Sequence, residues 1–261
     1  MIARIAASIG SLSLALGATA CMGFYEIPIE TPIQAKLDVT QFQRVLIAGF
    51  LAGGSDQLDP NTETARLLRS QLRTKSELRV IDADVRSLVD EVERRRRDTD
   101  QVNGSAPAQD APAGEEPRIL NEQDLQQYES IFADVDYWKA IGEEYEQPLI
   151  VTGSVLFEEI SRSGPQSSVQ EYIDPSGRRS TQEVRTYVDR KGYALVPKFI
   201  FIDGRTGAQL YAESAREEVL YPSSQNTPAL SAYFELMDKL LPGFLNTLST
   251  QRIKGTRILL K

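Results

Sequence analysis

The single cysteine of this chain, Cys21, stands directly after an apolar leader, and that placement sets the conditions under which everything downstream must fold. Met1-Ile-Ala-Arg4 is a short positive start. From Ile5 to Ala20 the residues are apolar or small, including Ala6, Ala7, Ile9, Leu12, Leu14, Leu16 and Ala18, with no acidic residue among them. This is the composition of a signal-peptide core, since a stable membrane span needs about 20 strongly apolar residues. Ala18-Thr19-Ala20 has the small–x–small form that a signal peptidase accepts, so residues 1–20 read as a signal peptide cleaved after Ala20. An exported chain with one cysteine forms no intrachain disulfide. Its stability rests on a packed core, which 41% hydrophobic and 25% charged residues allow.

Absences narrow the chemistry further. There is no histidine, so imidazole acid–base catalysis, Ser–His and Cys–His dyads, and His or Cys metal sites are excluded once Cys21 is taken up by processing. Asp and Glu number 37 against 29 Lys and Arg, a net charge of −8, which opposes binding to nucleic-acid phosphates. Carboxylate chemistry remains open in principle. The pairs Glu143-Glu144, Glu158-Glu159 and Glu217-Glu218 are adjacent in sequence, however, and adjacent side chains on a helix or strand point apart. Gly49-Phe-Leu-Ala-Gly-Gly54 lacks the Gly-Lys-Ser/Thr ending of a phosphate loop. Asp56, Asp59 and Asn61 are too sparse for a calcium loop. The expectation is no catalytic residue, no cofactor and no metal.

Along the chain, residues 21–39 carry Pro28 and Pro32 and no helical period, and read as an extended tether. Residues 40–261 read as a single α/β domain. Arg44–Phe50 is a continuous apolar run of buried-strand type, followed by a loop at Gly53, Gly54 and Asp56. Asp59-Pro60-Asn61-Thr62 opens a helix with Ala65, Leu68 and Leu72 on its apolar stripe. Leu78–Ile81 is a short strand. A second helix is expected from about Ala83, with Val85, Leu88, Val89 and Val92 on one face and Arg94-Arg-Arg-Arg97 as its solvated, dipole-compensating end. Residues 99–118, rich in Ala, Pro, Gly, Gln and Asp, are expected to be a disordered insertion. Asn121 caps the next helix, and Trp138, the only tryptophan, is read as a core anchor.

Pro148–Phe157 is the strongest strand in the chain. Residues 158–192 are polar and turn at Asp174-Pro-Ser-Gly177, which suggests a polar hairpin of strands Val169–Ile173 and Glu183–Val188. Tyr193–Ile202 and Gln209–Tyr221 make another hairpin, the second strand with Leu210, Ala212 and Ser214 on its buried face. Thr227-Pro228 opens the last helix, which Pro242 should kink, and Thr256–Lys261 is a possible edge strand. The order is β-α-β-α, insertion, α, a strand meander, then α. It specifies an α/β (α+β) fold with a mixed sheet and flanking helices.

Two resemblances add to this. Ala18-Thr19-Ala20-Cys21 resembles the lipobox of bacterial lipoproteins, Leu-Ala-Gly-Cys in its usual form. It implies that Cys21 is the lipidation site, carrying fatty chains such as palmitate, and that the protein is held at a membrane through this anchor. Acylation also removes a lone thiol from an oxidising compartment. Met22, where an Asp would retain a lipoprotein at the inner membrane of enteric bacteria, implies the outer membrane, facing the periplasm. Secondly, Arg44–Phe50, Leu149-Ile-Val-Thr-Gly-Ser-Val155 and the turn Asp203-Gly-Arg-Thr-Gly207 resemble segments of the curli-assembly lipoprotein (CsgG) family and the amino-terminal domain of TolB. That group implies an extracytoplasmic, non-catalytic binding or assembly module with protein partners in the cell envelope. It also implies an alternative, the oligomeric outer-membrane secretion-channel subunit of the curli type. Residues 158–192 carry too many charges for a lipid-facing hairpin of that channel.

Overall fold

A computed structural model describes residues 24–102, 119–173 and 175–260. The signal peptide, the Ala20 cleavage position, Cys21 and residues 103–118 of the expected insertion lie outside the described residues. The elements in chain order are β1 (Phe24–Ile33), β2 (Arg44–Gly54), α1 (Pro60–Lys75), β3 (Arg79–Ile81), α2 (Leu88–Val102), α3 (Glu122–Gln126) and a 3₁₀ turn (Glu129–Ala133). Then come α4 (Val135–Glu144), β4 (Leu149–Ile173), β5 (Arg179–Asp203), β6 (Gln209–Ser214), β7 (Glu217–Pro222), α5 (Ala229–Leu248) and β8 (Gln251–Leu260). They form two units, one of residues 35–249 and one joining the two ends of the chain.

The larger unit is a mixed sheet in the order β3-β2-β4-β5-β6, with β7 also paired to β5. β2 runs parallel to β3 and β4, and the remaining pairs are antiparallel. Alternate side chains of each central strand point to opposite faces, and both faces are covered, which is why these strands read as unbroken apolar runs. Val45, Ile47, Val151, Phe157, Phe199 and Phe201 pack with Ala65, Leu68 and Leu72 of α1 and Leu236, Met237 and Phe244 of α5. Leu46, Ala48, Ile150, Ile200 and Ile202 pack on the other face with Leu88 and Val92 of α2, Leu125, Phe132, Trp138 and Ile141. The class is α+β, a mixed sheet with helices on both sides. Trp138 is fully buried and its indole N–H donates to the Ile131 carbonyl at 2.8 Å, so it anchors the core as expected.

Several expected boundaries differ. α2 starts at Leu88, because the backbone before it is used elsewhere: the Arg86 N–H donates to the Ala48 carbonyl at 2.8 Å. Residues 99–102 continue that helix instead of belonging to an insertion. β2 runs on through Gly53 and Gly54, where a loop was expected. The polar hairpin is not separate from its neighbours; its strands are the outer halves of β4 and β5, each 25 residues long. The strand expected over Gln209–Tyr221 is broken into β6 and β7 opposite Pro197, whose ring leaves no N–H to share; its carbonyl instead accepts Ala215 N–H at 3.0 Å. In β6 the buried face is inverted. Tyr211 and Glu213 are half-buried while Leu210, Ala212 and Ser214 are exposed, because Glu213 reaches Thr247 of α5 at 2.8 Å and Lys36. α5 runs from Ala229 to Leu248 with Pro242 inside it.

The smaller unit is a two-stranded antiparallel ribbon of β1 and β8, in register from Phe24 opposite Leu260 to Ile33 opposite Gln251. Among the described residues of the segment read as a tether, Phe24–Ile33 is a paired strand, while Leu37 and Val39 are not tether but pack against the core of the larger unit. The strand expected at Thr256–Lys261 begins earlier, at Gln251, and joins β1 instead of the sheet.

Candidate functional site

A sheet offers itself to a partner through its edges, where backbone N–H and C=O groups lack neighbours. One edge of this sheet is closed by unrelated means in succession. β3 covers Arg44–Leu46 of β2. Beyond it, the Arg69 guanidinium donates to the Ile47 carbonyl at 2.9 Å, and the Arg86 N–H serves the Ala48 carbonyl. Asn61 Oδ1 accepts Phe50 N–H at 2.8 Å, and Ile119 O accepts Gly54 N–H at 2.9 Å. Asn61 Nδ2 also donates to the Arg86 carbonyl at 3.2 Å, so one amide side chain stands in for a strand between β2 and the segment before α2. Asn61 was legible only as part of a helix start; its seal on β2 is a long-range contact.

β6 and β7 pair only with β5 and are edge strands as well, and the longest open edges lie on the β4–β5 ribbon. β2 accompanies β4 only to Phe157, and β7 accompanies β5 only as far out as Arg190. Past those points the two strands pair with each other alone, from Ser163 opposite Asp189 to Ile173 opposite Arg179. At ~3.3 Å per residue this part of the ribbon projects by roughly 35 Å. Its tip turns through Pro175, Ser176 and Gly177, the last at φ +78°, a left-handed conformation that glycine adopts without a Cβ penalty.

The register sorts the ribbon's residues onto two faces. One carries Gly164, Gln166, Ser168, Gln170 and Tyr172 with Val188, Thr186, Val184, Gln182 and Ser180, and has no charge beyond the Arg162–Arg190 rung. The other carries Pro165, Val169 and Ile173 with Tyr187, alternating with Glu171, Asp189, Arg185, Glu183 and Arg179. On this second face Val169, Ile173 and Tyr187 are exposed to 72%, 66% and 69%. Exposed aliphatic groups, a tyrosine and arginines in one row are the composition of a protein–protein contact. The ribbon leaves the sheet beside a polar cleft of about 530 Å³ lined by Gln57, Glu159, Lys191, Tyr193 and Tyr221. Burial, then Glu159, pushes the Tyr193 hydroxyl up; burial, then its bond to Glu235 at 2.7 Å, holds Tyr221 at about 12. Both shifts run opposite to that needed for a phenolate nucleophile at neutral pH.

In each adjacent carboxylate pair one member is engaged by a partner of its own. Glu144 meets Arg86 at 2.7 Å, Glu159 accepts from Gln57 at 2.6 Å, and Glu218 accepts from Arg162 and Arg216. Asp59 caps α1, accepting Asn61 N–H at 3.0 Å. The Arg94–Arg97 run lies inside α2, not at its end, and is largely structural. Arg94 pairs with Glu91. Arg95 pairs with Glu91 and Asp134 and covers the Tyr137 ring at 4.4 Å; Arg96 donates to the Gln127 carbonyl and lies 5.0 Å from the Tyr128 ring. These contacts tie α2 to the segment that carries the core residues Tyr128, Phe132 and Trp138. The motif Asp203–Gly207 is a turn: Asp203 accepts Gly207 N–H through its carbonyl at 2.7 Å and holds the Arg205 backbone and guanidinium through its carboxylate.

No family model matches the chain, and no curated protein does. Among solved structures, a match is lipoprotein GNA1162 from Neisseria meningitidis, at 14% sequence identity and a TM-score of 0.30, over 78% of this chain and 98% of that one. Among the described residues, no helix is long and apolar enough to cross a membrane.

Proposed function

We propose that this is an exported, lipid-anchored envelope protein, tethered through Cys21 and facing the periplasm, that acts as a non-catalytic docking module for a protein component of an envelope or secretion machine. The observation that carries the docking role is the β4–β5 ribbon. It leaves the sheet with both edges unpaired and exposes Val169, Ile173 and Tyr187 among charged neighbours, while the β2 edge is closed by Arg69, Asn61 and Ile119. Strand addition and side-chain contact on such a ribbon give main-chain affinity and side-chain selectivity together. The anchor is supported by the leader, by Ala18-Thr19-Ala20-Cys21, and by the absence of any other cysteine.

The channel-subunit alternative has one observation in its favour. The ribbon strands exceed the roughly ten residues that cross a membrane as a barrel strand. Against it, the less charged face holds Gln166, Gln170, Gln182, Ser168 and Thr186, which lipid would not solvate. Ring-sized assemblies in detergent would favour this alternative; a monomer favours the docking module.

The test is chemical crosslinking in cells, followed by pull-down, with and without deletion of residues 165–190. The deletion removes no core residue, so urea unfolding of the remaining body should stay within about 1 kcal/mol of the parent, since surface changes away from packed features cost little. Loss of the crosslinked partner with the body intact supports the docking role. Retention of every crosslinked partner by the deleted protein refutes it.

A further inference from the structure

The smaller unit places a second part of the chain next to the anchor. Phe24 is three residues beyond Cys21, and it pairs with Leu260; Tyr25 pairs with Leu259. Three residues of fully extended chain span at most about 11 Å. If Cys21 is acylated, which this inference takes from the reading above, its sulfur sits where the acyl chains begin. The headgroup region of one leaflet is roughly 5–8 Å deep, half the difference between the whole bilayer and its hydrocarbon core. The Phe24–Leu260 rung therefore cannot stand clear of the headgroups by more than a few Å. β8 brings Ile258, Leu259 and Leu260 to that same level from the other end of the sequence.

Residue types along the ribbon match this placement. The three rungs nearest Cys21 pair Phe24 with Leu260, Tyr25 with Leu259 and Glu26 with Ile258, with Arg257 on the fourth rung and Lys261 next in sequence, so the one carboxylate is outnumbered by two cations. The three rungs at the far end pair Ile33 with Gln251, Pro32 with Arg252 and Thr31 with Ile253, and hold no aromatic residue. Aromatic rings and leucines flanked by cations are the composition of a membrane–water interface, where the cations meet anionic headgroups. Each strand satisfies the other's ladder, which limits the backbone groups left to desolvate. A two-stranded ribbon is marginal by itself in water, and Ile258 is exposed to 61%, so a seat on a bilayer supplies cover that this end of the ribbon lacks.

We propose that the Ile258–Leu260 end of β8 is a second membrane contact, seated with Phe24 and Tyr25 in the headgroup layer of an anionic phospholipid bilayer. The experiment uses the full processed protein in vesicles of phosphatidylethanolamine and phosphatidylglycerol, part of the lipid brominated on its acyl chains. Trp138 is buried in the larger unit and gives a constant background. Leu260→Trp and Ile258→Trp are compared with Arg252→Trp at the far end of the same strand. The indole introduced at 260 or 258 is expected to shift to the blue and lose emission to bromine, while the one at 252 does neither. Two positions guard against a variant that disturbs the ribbon. The mass of the amino-terminal peptide reads acylation separately. An acylated protein with no quenching at 258 or 260 overturns the contact and leaves the anchor standing. An unacylated protein with no quenching overturns both. Quenching without acylation overturns the anchor and supports the contact.

Discussion

Asn61 bears more of the architecture than its place in the first turn of α1 suggests, and its replacement by alanine tests how the β2 edge is closed. Its Oδ1 satisfies the N–H of Phe50, a residue only 1% exposed, and its Nδ2 satisfies the Arg86 carbonyl. Asn61→Ala leaves both groups without these partners. A buried backbone group that loses its hydrogen bond costs about 1–3 kcal/mol. The Arg86 carbonyl, in a less buried segment, regains part of its loss from water, so the sum is about 2–3 kcal/mol. For a body of this size each kcal/mol lowers Tm by about 2–4 °C, which makes the expected drop roughly 4–12 °C. Asn61→Asp separates the two roles. Its carboxylate still accepts Phe50 N–H and suits the positive end of the α1 dipole, but it cannot donate to Arg86. Its loss should be smaller than that of alanine. Urea unfolding followed by the far-ultraviolet dichroism of the helices reads both variants. An Asn61→Ala midpoint and slope equal to the parent's, or an aspartate variant weaker than the alanine one, would refute the assignment of Asn61 as the seal.

Two further outcomes follow from the packing. A Cβ on Gly142 of α4 would lie 1.7 Å from the Gly204 carbonyl oxygen, whereas one on Gly243 of α5 would meet nothing within 4 Å. Gly142→Ala should therefore destabilise by about 1–3 kcal/mol or more through overpacking, while Gly243→Ala gains about 0.5–1 kcal/mol of helix propensity, and thermal unfolding of the pair should move in opposite directions. The Tyr221 hydroxyl is held at about 12 by burial and by Glu235. With its folded value above the ordinary 10, its contribution is complete below pH 10 and is lost as pH rises from 10 through 12. The stability gap between the parent and Tyr221→Phe should accordingly be constant up to about pH 10 and shrink above it; a gap independent of pH to 12 contradicts the assignment.

The parts of the fold that were legible are those whose local pattern matches their surroundings. Arg44–Phe50 and Pro148–Phe157 read as buried strands because both of their faces meet helices, so every position must be apolar. Asn121 was legible as a cap because its partner, Asp124 N–H at 3.0 Å, is three residues away. The illegible parts depend on partners distant in sequence. β1 contains Pro28 and Pro32, which a two-stranded edge tolerates and a central strand does not, and its partner β8 lies at the other end of the sequence. In β6 the period of two was evident but its phase was not. Leu210 and Ala212 are more apolar than Glu213, yet Glu213 turns inward because Thr247 and Lys36 are there to receive it. Of the candidate site, the polar character of residues 158–192 was visible. Its continuity with the two central strands was not, since pairing of Glu158 through Ile173 with Arg179 through Ala194 leaves no signature in composition.

That continuity bears on what the ribbon is for. A two-stranded hairpin by itself is marginal in water, yet this one is rooted in the most buried strands of the molecule, so any load on its tip is passed directly into the core through β4 and β5. Rooting fixes direction and stiffness at the base, where Gly192 packs against the Val219 carbonyl and Arg162 reaches Glu218. It does nothing for Val169, Ile173 or Tyr187 farther out, which remain in water. Nor do the ribbon's own charges bury them, for Arg179 and Glu171 approach only to 3.7 Å and stay largely solvated. A stiff base with an unsatisfied outer face is the arrangement expected of an element whose remaining contacts are made with another molecule. Under the proposed docking role, substitutions at Tyr187 and Val169 should weaken docking, while the Arg162–Glu218 pair at the base should affect only how firmly the ribbon is held.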